Sequence, residues 1–311
     1  MDTDQIFFKK NGYLLKKNLI DKKMIDKINK VVNEVVAQDK QKNKKKVTNG
    51  TQTYDNYHFV YNSDSSKNKE ILRLNNPQNR HKIFYDLSRN KKIISIVKKL
   101  IGGSVRFHLG KLNFKLPNKK KGSEVGWHQD WAFYPHTNDD IVEVGIFLDD
   151  CGEENGPLMA VPGSHKGPLD DHHHKGVFIG AVDPKNSNYD VSTAEPFIAK
   201  AGSISLHHVR SLHGSTKNNS DQSRRVLFVG YTAADSWPLK GILDLGLKPT
   251  TSEGDFVKNV YSVYEGNIVR GNPCLEARLE NNPIKMPYPP PHSVGSIYEN
   301  QKVVRGRSFG E

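Results

Sequence analysis

Apolar residues recur at three- and four-residue spacings between Lys22 and Val36, at Met24, Ile25, Ile28, Val31, Val32 and Val35. That period predicts an amphipathic helix, with Asp21 placed to cap its start. Upstream, Gly12-Tyr13-Leu14-Leu15 reads as a short strand. Residues Gln38 to Asn56 are polar and lysine-rich and read as a loop. A second helical pattern, from Lys91 to Leu100, ends at Gly102-Gly103.

Beyond residue 104 the texture changes. Strand-like runs at Val105–His108, Lys111–Leu116, Val142–Leu148, Leu158–Val161, Gly202–Leu206 and Val226–Tyr231 alternate with Gly, Pro, Asn and Asp. Many short strands so punctuated predict a mainly β fold, a sandwich or barrel-like core with the N-terminal helices on one face. No repeat or low-complexity linker divides the chain. The expectation is one domain over 1–311: a mainly helical part at 1–104, a core at 105–237 and a C-terminal extension at 238–311 wrapping it. From Pro283 onward, Pro287-Tyr288-Pro289-Pro290-Pro291 predicts an extended arm on the surface.

Composition narrows the classes. Hydrophobic residues make up 35% and charged residues 26%, which suits a globular core under a solvated surface. No run of about 20 apolar residues is present, so no membrane partner is expected. The acidic start, Met1-Asp2-Thr3-Asp4, is unlike a secretory signal. Cys151 and Cys274 are too few for a disulfide framework, and a cytoplasmic setting is expected. The net charge of +12 sits largely in Lys40-Gln41-Lys42-Asn43-Lys44-Lys45-Lys46 and Lys119-Lys120-Lys121. Neither run is interleaved with stacking aromatics, so they read as solvated loops and no nucleic-acid partner is expected. The charge permits attraction of an anionic small molecule.

The chemistry-bearing pattern starts at Gly126-Trp127-His128-Gln129-Asp130. Residues two apart on a strand share a face, so His128 and Asp130 project together and Gln129 lies on the other side or at the rim. An imidazole and a carboxylate need one more ligand to complete a 2-His-1-carboxylate facial triad, the set that suits non-haem Fe(II) and leaves positions open. His213, in the segment His207 to Ser215, is the candidate third ligand, while His208 reads as its strand neighbour. The small Gly214 would let the chain turn tightly there. Arg224, eleven residues beyond His213, opens a strand-like run. Its guanidinium suits the far carboxylate of 2-oxoglutarate as a bidentate pair. Arg225 competes for this role, and strand alternation allows only one of the two to face inward.

These segments resemble the phytanoyl-CoA dioxygenase family. The resemblance rests on Trp127-His128-Gln129-Asp130, on Asn155-Gly156-Pro157-Leu158-Met159-Ala160-Val161-Pro162-Gly163-Ser164-His165-Lys166-Gly167, on His213-Gly214-Ser215 and on Arg224-Arg225. The ending Gly295-Ser296-Ile297-Tyr298-Glu299-Asn300 is similar to bacterial-type members. The resemblance implies a double-stranded β-helix (jelly-roll, cupin-like) core. It implies Fe(II), 2-oxoglutarate and O2 as co-reactants, with ascorbate helpful, and succinate and CO2 released. By position, His128, Asp130 and His213 match the metal ligands and catalytic centre. Arg224 and Ser215 match residues gripping 2-oxoglutarate, Gln129 and Asn113 match further contacts to it, and Lys111 is a weaker match. Asp130 argues against halogenation, because halogenating relatives carry a small residue there. One departure stands out: relatives often carry Trp where this chain has Gly145, and a missing indole would open the pocket.

For substrate, Tyr134, Trp131 and His172 are the candidates. Tyr134 is the best cavity-lining residue of the Trp131-Phe133-Tyr134 group, which could equally be core packing. His172-His173-His174 reads as a substrate loop or solvated residues more than as a metal cluster. Asp149-Asp150 reads as a turn. No Ser-His-Asp arrangement, phosphate-cradling GxxxxGK or GxGxxG is visible. The expected reaction is oxidation of an unactivated C–H of a small metabolite, by hydroxylation, desaturation or oxidative cyclisation. Alternatives are an acyl-CoA 2-hydroxylase of the same family, a catalytically silent metal-binding member, or a zinc-loaded cupin-like hydrolase. The partner is expected to be a small-molecule substrate, and the protein a monomer or homodimer.

Overall fold

The computed structural model describes residues 1–42, 59–61, 70–117, 124–240, 253–291, 297–304 and 309. In chain order the elements are α1 (Thr3–Asn11), β1 (Tyr13–Lys16), α2 (Lys22–Lys42), β2 (Phe59–Tyr61), β3 (Ile71–Asn75), α3 (Lys82–Leu87), α4 (Lys91–Ile101), β4 (Val105–Lys115), β5 (Val125–His128), β6 (Ile141–Phe147) and β7 (Leu158–Ala160). Then come β8 (His173–His174), β9 (Val177–Phe178), β10 (Glu195–Pro196), β11 (Ile204–His208), β12 (His213–Ser215), β13 (Arg224–Ala233), α5 (Glu253–Gly266), β14 (Ile268–Arg270) and α6 (Ile297–Asn300).

Two antiparallel sheets form the core. The larger runs β1-β11-β6-β13-β4-β3-β2, with β14 also paired to β4, and the smaller runs β10-β7-β12-β5. The mainly β core expected from the strand pattern is therefore present, in the jelly-roll form that the family resemblance implies, with helices outside it. The part at 1–104 also supplies β1 and β3 to the large sheet.

Strand alternation explains which residues face the cavity. On β6, Val142, Val144 and Ile146 pack against the helices, as do Ile204 and Leu206 of β11 and Leu227, Val229 and Tyr231 of β13. Ile25, Ile28 and Val32 of α2 and Ile93, Ile94 and Val97 of α4 meet them. Each such side chain contributes about 1.5–3 kcal/mol when fully buried. The intervening residues Glu143, Gly145, Phe147, Ser205, His207, Val226 and Phe228 point the other way, towards the small sheet. All of these but Gly145 line a cavity between the two sheets.

The helix signals held locally. The Asp21 carboxylate accepts from the Met24 amide at 2.9 Å, and Gly102 closes α4. α2 continues to Lys42, so Gln38 to Lys42 are helical. The rest of the expected loop, to Asn56, and the lysine run at 119–121 lie outside the described residues. The Pro-rich stretch 283–291 is irregular and mostly exposed, as expected of a surface arm, but the described residues beyond it pack into the protein. Tyr298, Gln301 and Val304 are buried. Tyr298 packs with Leu72 and Leu116, while the Gln301 amide accepts from the Gly126 N–H and donates to the Gly180 carbonyl. The amide pins the segment because it satisfies backbone groups next to the His128 strand. No described helix is long and apolar enough to cross a membrane.

Candidate active site

His128 ends β5 and His213 begins β12, and the two are direct cross-strand partners. Asp130 opens the short turn after β5. Ligand atoms of the three lie within 4.8 Å of one another, all buried. His128 Nε2 stands 3.9 Å from Asp130 Oδ1, and His213 Nε2 stands 3.7 Å from Asp130 Oδ2. Each ring is fixed from behind: His128 Nδ1 meets the Gly126 carbonyl at 2.8 Å and His213 Nδ1 meets that of Ser211 at 2.9 Å. A carbonyl only accepts, so Nδ1 carries the proton and both Nε2 lone pairs face Asp130. Burial pushes both imidazoles below their usual range, which keeps them neutral as metal ligands must be. Burial opposes ionisation of Asp130, but the His207 hydrogen bond and the charges around it outweigh this and hold the carboxyl well below its usual range. Two imidazoles and one carboxylate, buried and converging, fit a ferrous ion.

The cavity is about 370 Å³. At one end stand Arg224 and Lys115, cross-strand partners on β13 and β4. The Lys115 ammonium donates to the Ser215 hydroxyl at 2.7 Å, and Arg224 donates to the carbonyls of Asn155 and Gly156. Asn113 accepts from Arg73 at 2.9 Å, and Arg73 stacks over the Tyr298 ring. This cluster of buried cations and a hydroxyl suits a carboxylate. Arg225 faces outward and pairs with Asp149, at 2.6 Å and 2.8 Å from its two oxygens. Alternation thus turns Arg224, and not Arg225, into the cavity.

At the other end are Lys111, Tyr134, Glu143 and His207. The Tyr134 hydroxyl donates to Glu143 Oε1 at 2.9 Å. Glu143 fits because β13 carries Gly230 opposite it; a Cβ there would lie 2.6 Å from Glu143 Oε1. His207 Nε2 meets Asp130 Oδ2 at 3.2 Å. Gly145 does not leave the opening expected of it. A Cβ there would meet Ser205 Oγ at 2.7 Å and Phe228 Cε1 at 3.0 Å, so its cross-strand neighbours fill the space.

Three expected site residues lie elsewhere. Gln129 is fully buried facing away from the cavity, as alternation requires, and its amide is used by Asp170 and Arg210 backbone. His172 accepts from the Gln129 N–H at 2.8 Å, beside His128, and is not among the residues lining the cavity. Trp131 packs in the core with Ile141 and Val209. Gly214 lies in a strand; a Cβ there would sit 3.0 Å from the Val125 carbonyl, so its small size serves close packing rather than a turn. Sequence reading missed Lys115, Glu143, His207, Phe228 and Tyr298. Period-two alternation within β4, β6, β11 and β13 could have found the first four; Tyr298 needed the tertiary fold.

The double sheet, the convergent His-Asp-His set and the cationic far end define an oxygenase of the class that uses ferrous iron, 2-oxoglutarate and O2. The chain matches the phytanoyl-CoA dioxygenase (PhyH) family over residues 8–226 and belongs to it. It is 36% identical over 260 residues to a probable alpha-ketoglutarate-dependent hypophosphite dioxygenase of Stutzerimonas stutzeri, covering 82% of this chain and 84% of that one. It is 30% identical over 172 residues to L-proline trans-4-hydroxylase of Streptomyces griseoviridis, covering 49% of this chain and 63% of that one. Among solved structures, EctD from S. alaskensis with bound Fe superposes with a TM-score of 0.61 at 20% identity, over 75% of this chain and 77% of that one.

Proposed function

We propose that His128, Asp130 and His213 hold ferrous iron, that Arg224, Lys115 and Ser215 hold the C5 carboxylate of 2-oxoglutarate, and that the substrate is a compact anion, with hypophosphite the first candidate. The convergence of two unprotonated Nε2 atoms on one buried carboxylate, in the wall of a cavity ending in Arg224, carries this reading. When bound, the iron supplies O2 activation coupled to decarboxylation of 2-oxoglutarate. The residues orient the two carboxylates, close out water and keep both imidazoles neutral. The cavity must hold co-substrate and substrate together, which favours a small substrate over an acyl-CoA thioester. The hypophosphite relative matches over most of both chains, and the net charge of +12 favours an anion. The reaction balances as hypophosphite plus 2-oxoglutarate plus O2 giving phosphite, succinate and CO2. One oxygen atom enters a P–H bond and the other enters succinate. Two unpaired cysteines suit a cytoplasmic setting.

The test is incubation with Fe(II), ascorbate, 2-oxoglutarate and hypophosphite, following succinate and phosphite against a His128→Ala control. Equal succinate from both proteins sinks the oxygenase reading. Succinate coupled to L-proline or ectoine, with no phosphite from hypophosphite, moves the substrate to a C–H bond.

A further inference from the structure

We propose that Lys111 binds the charged group of a compact oxyanion substrate, with Tyr134 and Glu143 forming the wall behind it. This rests on the oxygenase reading above and moves Lys111 from the co-substrate to the substrate.

Position separates the two roles. Lys111 and Lys115 share the inward face of β4 but lie four residues apart, about 13 Å along an extended strand. Lys115 stands across from Arg224, whereas Lys111 stands across from Phe228. The Lys111 charge acts on His128, Asp130, Glu143 and His108. Arg224 instead interacts with Cys151, Tyr298 and Asp149. Lys111 is thus at the His128–Asp130 end, and Arg224 and Lys115 are at the far end.

The 2-oxoglutarate carboxylates then leave Lys111 unused. Of the two carboxylates of 2-oxoglutarate, one goes to the metal and the other to Arg224 and Lys115. Lys111 has no ion pair among the described residues; its ammonium lies over the Tyr134 ring, 5.2 Å from the centroid. A cation over an aromatic face is held by only about 0.5–2 kcal/mol, so an arriving anion can draw it away.

The neighbouring acid supplies the second contact. Glu143 is 1% exposed. Its Oε1 accepts from Tyr134, while its buried Oε2 has no partner. A buried polar atom without a partner is open to a ligand atom, and this one belongs to a residue lining the cavity. Burial raises the Glu143 carboxyl while the Lys111 charge lowers it; a proton carried on the partnerless Oε2 would donate to an oxyanion. Leu109, Phe133 and Phe178 supply the apolar walls. An anion gripped by Lys111 and Glu143 would turn its remaining substituents towards His128 and Asp130.

The experiment uses the anaerobic Fe(II)–2-oxoglutarate complex of the full chain. Hypophosphite, phosphite (the expected product) and zwitterionic L-proline are each titrated against its charge-transfer absorption. Both oxyanions should perturb the band in the wild type. Lys111→Met should weaken that response roughly tenfold or more while leaving half-saturation by 2-oxoglutarate unchanged. Lys111→Arg should restore most of it. Glu143→Gln keeps a donor at Oε2 and should stay within about threefold of wild type. The proposal is overturned if Lys111→Met weakens 2-oxoglutarate itself, if no oxyanion perturbs the wild-type band, or if only proline does so and Glu143→Gln abolishes it. Failure of the oxygenase reading is separate: the band is then absent before any anion is added. Lys111-dependent oxyanion binding without phosphite formation supports the subsite and removes hypophosphite as substrate.

Discussion

Phe228 of β13 lies directly across from Gly145 of β6, and its ring edge stands 3.0 Å from where a Cβ on Gly145 would be. The glycine and the phenylalanine are therefore one packing unit. Gly145→Trp should cost about 1–3 kcal/mol through overpacking against Phe228 and Ser205. Gly145→Trp with Phe228→Ala should recover part of that loss, read as the midpoint of denaturant unfolding. Independent, additive effects would mean that the two positions do not share the space.

Arg224 and Arg225 should separate cleanly. Arg224→Ala is expected to raise the dissociation constant for 2-oxoglutarate roughly tenfold or more, with Fe(II) binding little changed. Arg225→Ala removes the half-buried bidentate pair with Asp149 and should lower stability by about 1–3 kcal/mol without touching 2-oxoglutarate. Calorimetric titration of both variants checks this, and a reversed pattern would exchange their roles.

His207 holds Asp130 through one hydrogen bond between two buried groups. His207→Phe removes that bond while keeping an aromatic ring. Fe(II) affinity should fall by roughly 10- to 100-fold, the usual range for partners that orient a ligand. Competition with a metal-binding dye measures it; unchanged affinity would leave His207 as packing alone.

Burial holds the His136 imidazole down to about 3, with Arg106 adding to the effect. In the unfolded chain it titrates near 6.5. Between those values the unfolded chain binds the extra proton, so stability is full above about pH 6.5 and is lost as pH falls. The slope from this residue is at most about 1.4 kcal/mol per pH unit. Unfolding free energies of the metal-free protein at pH 7, 6 and 5 should fall less steeply in His136→Phe than in wild type; parallel curves would refute the assignment.

The sequence by itself determined the main elements and the grouping of His128, Asp130 and His213. The 3.6-residue period marked α2 and α4, the period-two runs marked the large sheet, and the spacing of His128 and Asp130 put both on one side of the chain. These features are local, so a linear reading reaches them. Gln129 was caught between two local arguments, family position and alternation, and alternation prevailed. Only the tertiary structure decided the pocket. It brought the C-terminal Tyr298 against Arg73, set Lys115 beside Ser215 and Lys111 beside Tyr134, and filled the Gly145 gap from a strand some eighty residues away. Those relationships depend on which strands pair and in what register, and register is set by burying one face of the whole sheet at once.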